Sequence, residues 1–382
     1  MAGEKNRQER IMPERVFVVG DAAEDVVAQR VLSRLGAVEV VNLDSDDDPL
    51  RAPSGAGAGE ESSHISLGKR WLMLKRYRGK WLKGCPGTLG HVCCNLWVVN
   101  PGEGCPLDCT YCALQHYFRR NPTLKLFTNT GEMLKEIEQR TSAEPRRRFR
   151  ICTGELTDSL VFDHLTDLSL ELVPLFARLP NAVLEFKTKD CEVDNLLTLR
   201  HEHGGKTVVS WSVNAPEVVE QDEALTASLE QRMNAAALVA EAGYRVGLHF
   251  DPLVFYPGWK EGYCATIRYI FSRIDAENIA WISIAPLRYH PEQQEIMLRR
   301  FPESRLPLVE NFLAKDNKLR IFQPLRFEML RFIWKELHAV RAGMPVYMCM
   351  ESPAAWRSIV GGPPLAGTEL AEIFSRSACC RV

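Results

Sequence analysis

Cys105, Cys109 and Cys112, in the run GCPLDCTYCALQ, crowd three thiols into eight residues and oblige the chain to present them together on one tight loop. Three thiolates so spaced suit three irons of a [4Fe–4S] cluster and leave the fourth iron without a protein ligand, open for chemistry. A structural zinc site asks for four ligands in two pairs, and a dithiol redox motif asks for Cys-x2-Cys alone. Neither accounts for three-then-two spacing. Buried, unreactive cysteines are the bland alternative, and three of them inside one Gly/Pro-rich loop speak against it. Tyr111 stands immediately before the last cysteine.

From about residue 91 the chain alternates strand, loop and helix around that loop. HVCCNLWVVN reads as the first strand, and FRICT, AVLEFKT, TVVSWSVN, YRVGLHF and IAWISIA as later ones, each rich in β-branched and aromatic residues. Helical spacing follows in ALQHYF and near 164–178, 190–201, 224–242 and 259–274. Such alternation predicts parallel strands with helices outside, and functional groups at the strands' C-terminal ends. The expected class is α/β, organised as a small N-terminal α/β unit (1–44), a flexible linker (45–66), the main strand–helix domain (67–300) and a C-terminal α/β extension (301–382). SDDDPLRAPSGAGAGEESS is the basis for the linker. In the extension, the FEMLRFIWKELHAVR region reads as an amphipathic helix, PVYMCMES as a strand and GTELAEIFSRS as a closing helix.

The 382 residues are 46% hydrophobic and 25% charged, without an apolar run near the length of a membrane span and with a polar, non-secretory start, so a cytoplasmic protein without a membrane partner is expected. In a reducing compartment the twelve cysteines point to metal binding or catalysis rather than disulfides. The net charge of −2 excludes a general attraction to nucleic acid, leaving local patches as candidates. One is KRWLMLKRYRGKWLK, where Lys69, Arg70, Lys75, Arg76, Arg78, Lys80 and Lys83 are interleaved with Trp71, Tyr77 and Trp81. Cations for phosphates and rings for bases suit a nucleic-acid surface, with Trp71, Arg76 and Tyr77 its candidate contacts. A strand with a solvated basic face reads equally well.

CPLDCTYC followed by ALQ, NPTLKLFTN, CTGELTDSL, FKTKD, SWSVN and AGYRVGLHFDP, in that order, resemble the spore photoproduct lyase family of radical SAM enzymes over roughly residues 15–300. The resemblance implies a partial (β/α)6 TIM-type barrel, and a [4Fe–4S] cluster on Cys105, Cys109 and Cys112 whose open iron binds S-adenosylmethionine. It further implies that Lys189, Ser212 and Asn214 hold that molecule by its carboxylate and ribose, and that Cys152 returns a hydrogen atom to a repaired thymine. Glu155 is a candidate for the methionine amino group and Tyr111 for a hydrogen relay. The implied substrate is DNA carrying a thymine photoproduct, opened by Arg288 and Tyr289 or by the basic stretch, and the implied electron donor is of flavodoxin or ferredoxin type.

The chain also departs from the family. The position after the last cluster cysteine, commonly tyrosine in the lyases, is Ala113, which shortens the expected relay; the Cys-Thr pair is followed by GELTDSL, and His249 and Asp251 add polar groups near the expected site. Two other readings therefore stand beside the lesion lyase: a radical SAM enzyme acting on a peptide or modified nucleoside, and an iron–sulfur nucleic-acid-binding sensor without catalysis. Cys85, Cys93, Cys94, Cys379 and Cys380 read as bland thiols or a second metal site, and Arg146, Arg147 and Arg148 as a solvated turn.

Overall fold

The computed structural model describes residues 10–51, 58–87 and 90–362. Its centre is an eight-stranded sheet with parallel pairing throughout except at one edge. Trp97–Val99, Phe149–Cys152, Ala182–Thr188, Thr207–Ser212, Arg245–Leu253, Ile279–Pro286 and Val346–Met348 run parallel in that order, and Leu82–Gly84 adds antiparallel to the first. These are the six expected strands and a seventh from the C-terminal extension. The edge strands do not pair with one another, so the sheet curls into the expected partial barrel. Strands such as TVVSWS and IAWISIAP are buried at every position, as covered parallel strands require.

Helices fill the crossovers. Leu229–Glu241 begins with a reciprocal capping box between Ser228 and Gln231, and the turn after it uses Gly243 at φ +90, a conformation costly for other residues. Inside the barrel a polar cluster interrupts the apolar core. Glu185 is 1% exposed and accepts from Ser210 at 2.7 Å, His249 at 2.8 Å and Trp281 at 2.9 Å, while Arg150 pairs with it at 2.8 Å. Gly247 packs beside this cluster because any Cβ there would stand 2.1 Å from the Ser210 hydroxyl.

Three expectations are corrected. The N-terminal strands Arg15–Val19 and Glu39–Leu43 are no separate unit: their sheet continues through Trp71–Lys75, Leu124–Phe127 and Gly102–Glu103. Residues 58–66 of the expected linker belong to the helix Ala58–Gly68, because Ile65 is buried and Ser66 meets Arg300 at 3.1 Å, contacts composition does not reveal. Only Trp97–Val99 of HVCCNLWVVN is strand, since Asn95 at φ +54 breaks the extended run. GTELAEIFSRS, Cys379 and Cys380 lie outside the described residues.

Candidate active site

The cysteine loop is fastened from three sides. Lys69 donates to the backbone carbonyls of Cys105 at 2.9 Å and Leu107 at 2.6 Å. Arg300 grips both oxygens of Asp108, at 3.0 and 2.9 Å. Asp108–Cys109 pairs antiparallel with Glu223–Ala224. The loop thus faces the C-terminal ends of the barrel strands across a cavity of about 330 Å³.

Cys105, Cys109, Cys112, Tyr111, Glu155, Lys189, Ser212, Arg288 and Tyr289 all line this cavity, so the structure gathers most of the candidates. Lys189 follows the Ala182–Thr188 strand and lies 5.6 Å from the centre of the Tyr111 ring. Burial lowers the Lys189 pKa, but the neighbouring Glu223 and Cys109 outweigh it and keep the amine charged. Burial raises the Glu155 pKa. The thiols of Cys105 and Cys109 are pushed up by burial, Cys105 to about 12.

The donor set fits an iron–sulfur cluster. Three free thiols share one wall, yet among the described residues the group of three donors drawn within 4.8 Å of one another is His116, His290 and Glu292, not these sulfurs. Sulfurs spread wider than one ion gathers them suit a centre in which each binds a different iron.

Other candidates sit behind the cavity. Cys152 is 3% exposed at the end of its strand, and its sulfur accepts from the Gly154 amide at 3.4 Å. Gly154 in turn is required by close approach, since a Cβ would stand 2.8 Å from the Lys187 carbonyl. Asn214 is absent from the lining, because its amide is spent on Tyr263 at 2.6 Å and the Pro252 carbonyl at 3.1 Å. Arg288 pairs with Asp251 at 3.2 Å, and Tyr289, 2% exposed, is wall rather than protrusion.

Trp71, Arg76 and Tyr77 lie away from the cavity. Arg76 is bound by Asp25 at 2.7 Å and Glu132 at 2.8 Å, Lys75 by Asp46 at 2.7 Å, and Arg70 by Glu14 at 2.9 Å. Trp71 packs on Phe17, and Tyr77 on Trp81 and Phe127. The stretch that read as a basic nucleic-acid surface is largely neutralised by acids distant in sequence.

Sequence reasoning missed Glu223, Arg232 and Asp158. Glu223 accepts from the Tyr111 phenol and pairs with the fully buried Arg232 at 2.6 Å. Arg232 also donates to the Ser212 carbonyl at 2.9 Å, fixing that strand end. Asp158 accepts from Thr188 at 2.7 Å and from the Lys189 amide at 2.8 Å, which holds the KTK turn. The signal for Asp158 was its place in CTGELTDSL; Glu223 and Arg232 carried none.

The comparisons with known proteins agree with this geometry. Residues 97–340 match the family model described as spore photoproduct lyase. The spore photoproduct lyase of Bacillus subtilis is 27% identical over 260 residues, covering 66% of this chain and 72% of that protein. That of a Geobacillus strain is 26% identical over 267 residues, covering 68% and 74%. A solved spore photoproduct lyase variant with bound AdoMet and dinucleoside spore photoproduct superposes with a TM-score of 0.78 at 20% identity, covering 89% of this chain and all of that one. With the family model spanning more than half of its length, this chain belongs to the spore photoproduct lyase family of the radical SAM superfamily.

Proposed function

We propose that the chain is a radical SAM lyase that reverses a thymine photoproduct in DNA to two thymines. The observation that carries the reading is the convergence of the three cysteines, Lys189, Ser212 and Glu155 on one cavity at the C-terminal ends of the strands. Cys105, Cys109 and Cys112 would hold a [4Fe–4S] cluster. Bound there, it would supply the electron for cleavage of S-adenosylmethionine and so radical chemistry able to take hydrogen from carbon.

The chain's own residues bind and orient. Lys189 offers a cation to a carboxylate, Ser212 a hydroxyl to a ribose, and Glu155 an acceptor to an amino group. Asn214 acts by positioning, through Tyr263 and the Pro252 carbonyl. Cys152 lies beneath the Gly154–Glu155 turn, and burial pushes its thiol up to about 12, so the S–H bond is intact when a thymine radical needs its hydrogen. Arg288 and Tyr289 shape the opposite wall. A lesion reached this way leaves the base stack first, and poor stacking lowers that cost.

Among the described residues no helix is long and apolar enough to cross a membrane. A cytoplasmic setting suits twelve cysteines and an oxygen-sensitive centre, with a flavodoxin- or ferredoxin-type protein as electron donor. The test is anaerobic reconstitution followed by reduction and S-adenosylmethionine, with and without a spore-photoproduct dinucleotide. We expect 5′-deoxyadenosine and conversion of the dinucleotide to unlinked thymines. Absence of 5′-deoxyadenosine overturns the radical chemistry, and its formation without thymine release overturns the substrate.

A further inference from the structure

The barrel sheet is open between the strands Leu82–Gly84 and Val346–Met348, and cysteines stand on both sides of that seam. Cys85 follows the first edge strand, and its amide donates to the Leu96 carbonyl at 2.8 Å, which sets it beside Cys93 and Cys94. Gly87, at φ +58, folds the loop back so closely that a Cβ there would stand 3.8 Å from the Cys93 sulfur. Cys349 follows the other edge strand, anchored by its amide to the Ile284 carbonyl at 3.1 Å. Among the described residues a backbone bond bridges the seam, from the Val92 amide to the Glu351 carbonyl at 3.0 Å.

We propose that Cys85, Cys93, Cys94 and Cys349 form a second thiolate metal centre, separate from the Cys105 loop, that closes the open seam of the barrel. All four are free thiols, on three segments whose backbones are held side by side by the Cys85–Leu96 and Val92–Glu351 bonds. Four thiolates are a complete ligand set for a [4Fe–4S] cluster, so this centre would lack the open position of the first. No three of these sulfurs lie within 4.8 Å of one another, a spread that suits a cluster and not a single ion. Met350, next to Cys349, lines the cavity, which puts the centre behind the wall opposite the cysteine loop.

The test is metal and acid-labile sulfide analysis of the full chain purified without oxygen, in parallel with the Cys105→Ala/Cys109→Ala/Cys112→Ala variant. We expect the variant to retain one centre per chain, with about four irons and matching sulfide. Adding Cys85→Ser and Cys349→Ser should lower that metal at least about tenfold and lower the melting temperature. A variant with native circular dichroism that holds no metal overturns the proposal. If the variant does not fold, the intact chain decides: iron at about eight per chain supports the second centre, and about four irons per chain overturns it. Formation of 5′-deoxyadenosine reads the first centre alone, so failure here is distinct from failure of the lyase reading.

Discussion

Tyr111 donates its phenolic hydrogen to the carboxylate of Glu223, a residue 112 positions further along the chain, and so ties the cysteine loop to the buried Arg232. The phenol is 8% exposed, and burial and Glu223 hold its pKa well above the ordinary value. Tyr111→Phe removes one donor and leaves Glu223 its pairing with Arg232. The expected cost is about 1–3 kcal/mol in chemical denaturation, with iron content unchanged. If the phenol relays hydrogen, 5′-deoxyadenosine released per thymine product rises; an unchanged ratio removes Tyr111 from the relay.

Cys152→Ala is expected to leave bond cleavage in place and to divert product into adducts of the unquenched thymine radical. Clean thymine should fall on the order of tenfold relative to substrate consumed, read by mass spectrometry. Undiminished clean product would exclude Cys152 as the hydrogen donor.

Lys189→Met should weaken S-adenosylmethionine binding by about ten- to a hundredfold, the worth of a hydrogen bond to a charged group, measured by calorimetry on the reconstituted protein. The Lys189 amine also faces the Glu223 carboxylate, which keeps Arg232 as its partner in the variant, so the melting temperature should fall only modestly. Equal affinity in the variant would place the carboxylate elsewhere.

The barrel's buried cluster predicts a pH dependence. Burial depresses His249 from 6.5 to about 4, against the opposing pull of its hydrogen bond to Glu185. Between these values the unfolded chain binds a proton that the folded chain refuses, so stability is complete above about pH 6.5 and declines as pH falls toward 4. Glu185, held below the ordinary carboxylate range by Arg150 and His249 despite its burial, adds to the loss below about 4.5. Denaturation from pH 7 to 4 should show this decline, and His249→Asn should flatten it above about 4.5. An equal slope in both proteins would refute the assignment to His249.

Arg76→Ala should cost about 1 kcal/mol or less, since the side chain is a third exposed and its partners Asp25 and Glu132 are carboxylates at the surface margin. DNA affinity and its salt dependence should not change. A flatter salt slope would return the basic stretch to the DNA interface.

What sequence could reveal depended on the range of the interaction. The cysteine loop, the strand ends carrying Lys189 and Ser212, and the strands themselves are local patterns, and spacing and periodicity expose them. Glu223, Arg232 and the pairing of Arg76 with Asp25 are distant contacts, and nothing near those residues announces them. Glu185 is intermediate, an acid in the apolar run AVLEFKT whose meaning appears only when Ser210, His249 and Arg150 close around it. Asn214 shows the opposite error, for a polar residue in the expected motif turned out to face Tyr263 instead of the cavity.

Lys69 and Arg300, far apart in the chain, both fasten the cysteine loop through protein atoms. A small metal-dependent domain collapses when its ion leaves, because the ion's binding energy is its folding energy. Here bonds between protein atoms hold the loop as well, so loss of the cluster to oxygen is expected to leave the fold standing and the site open to reconstitution.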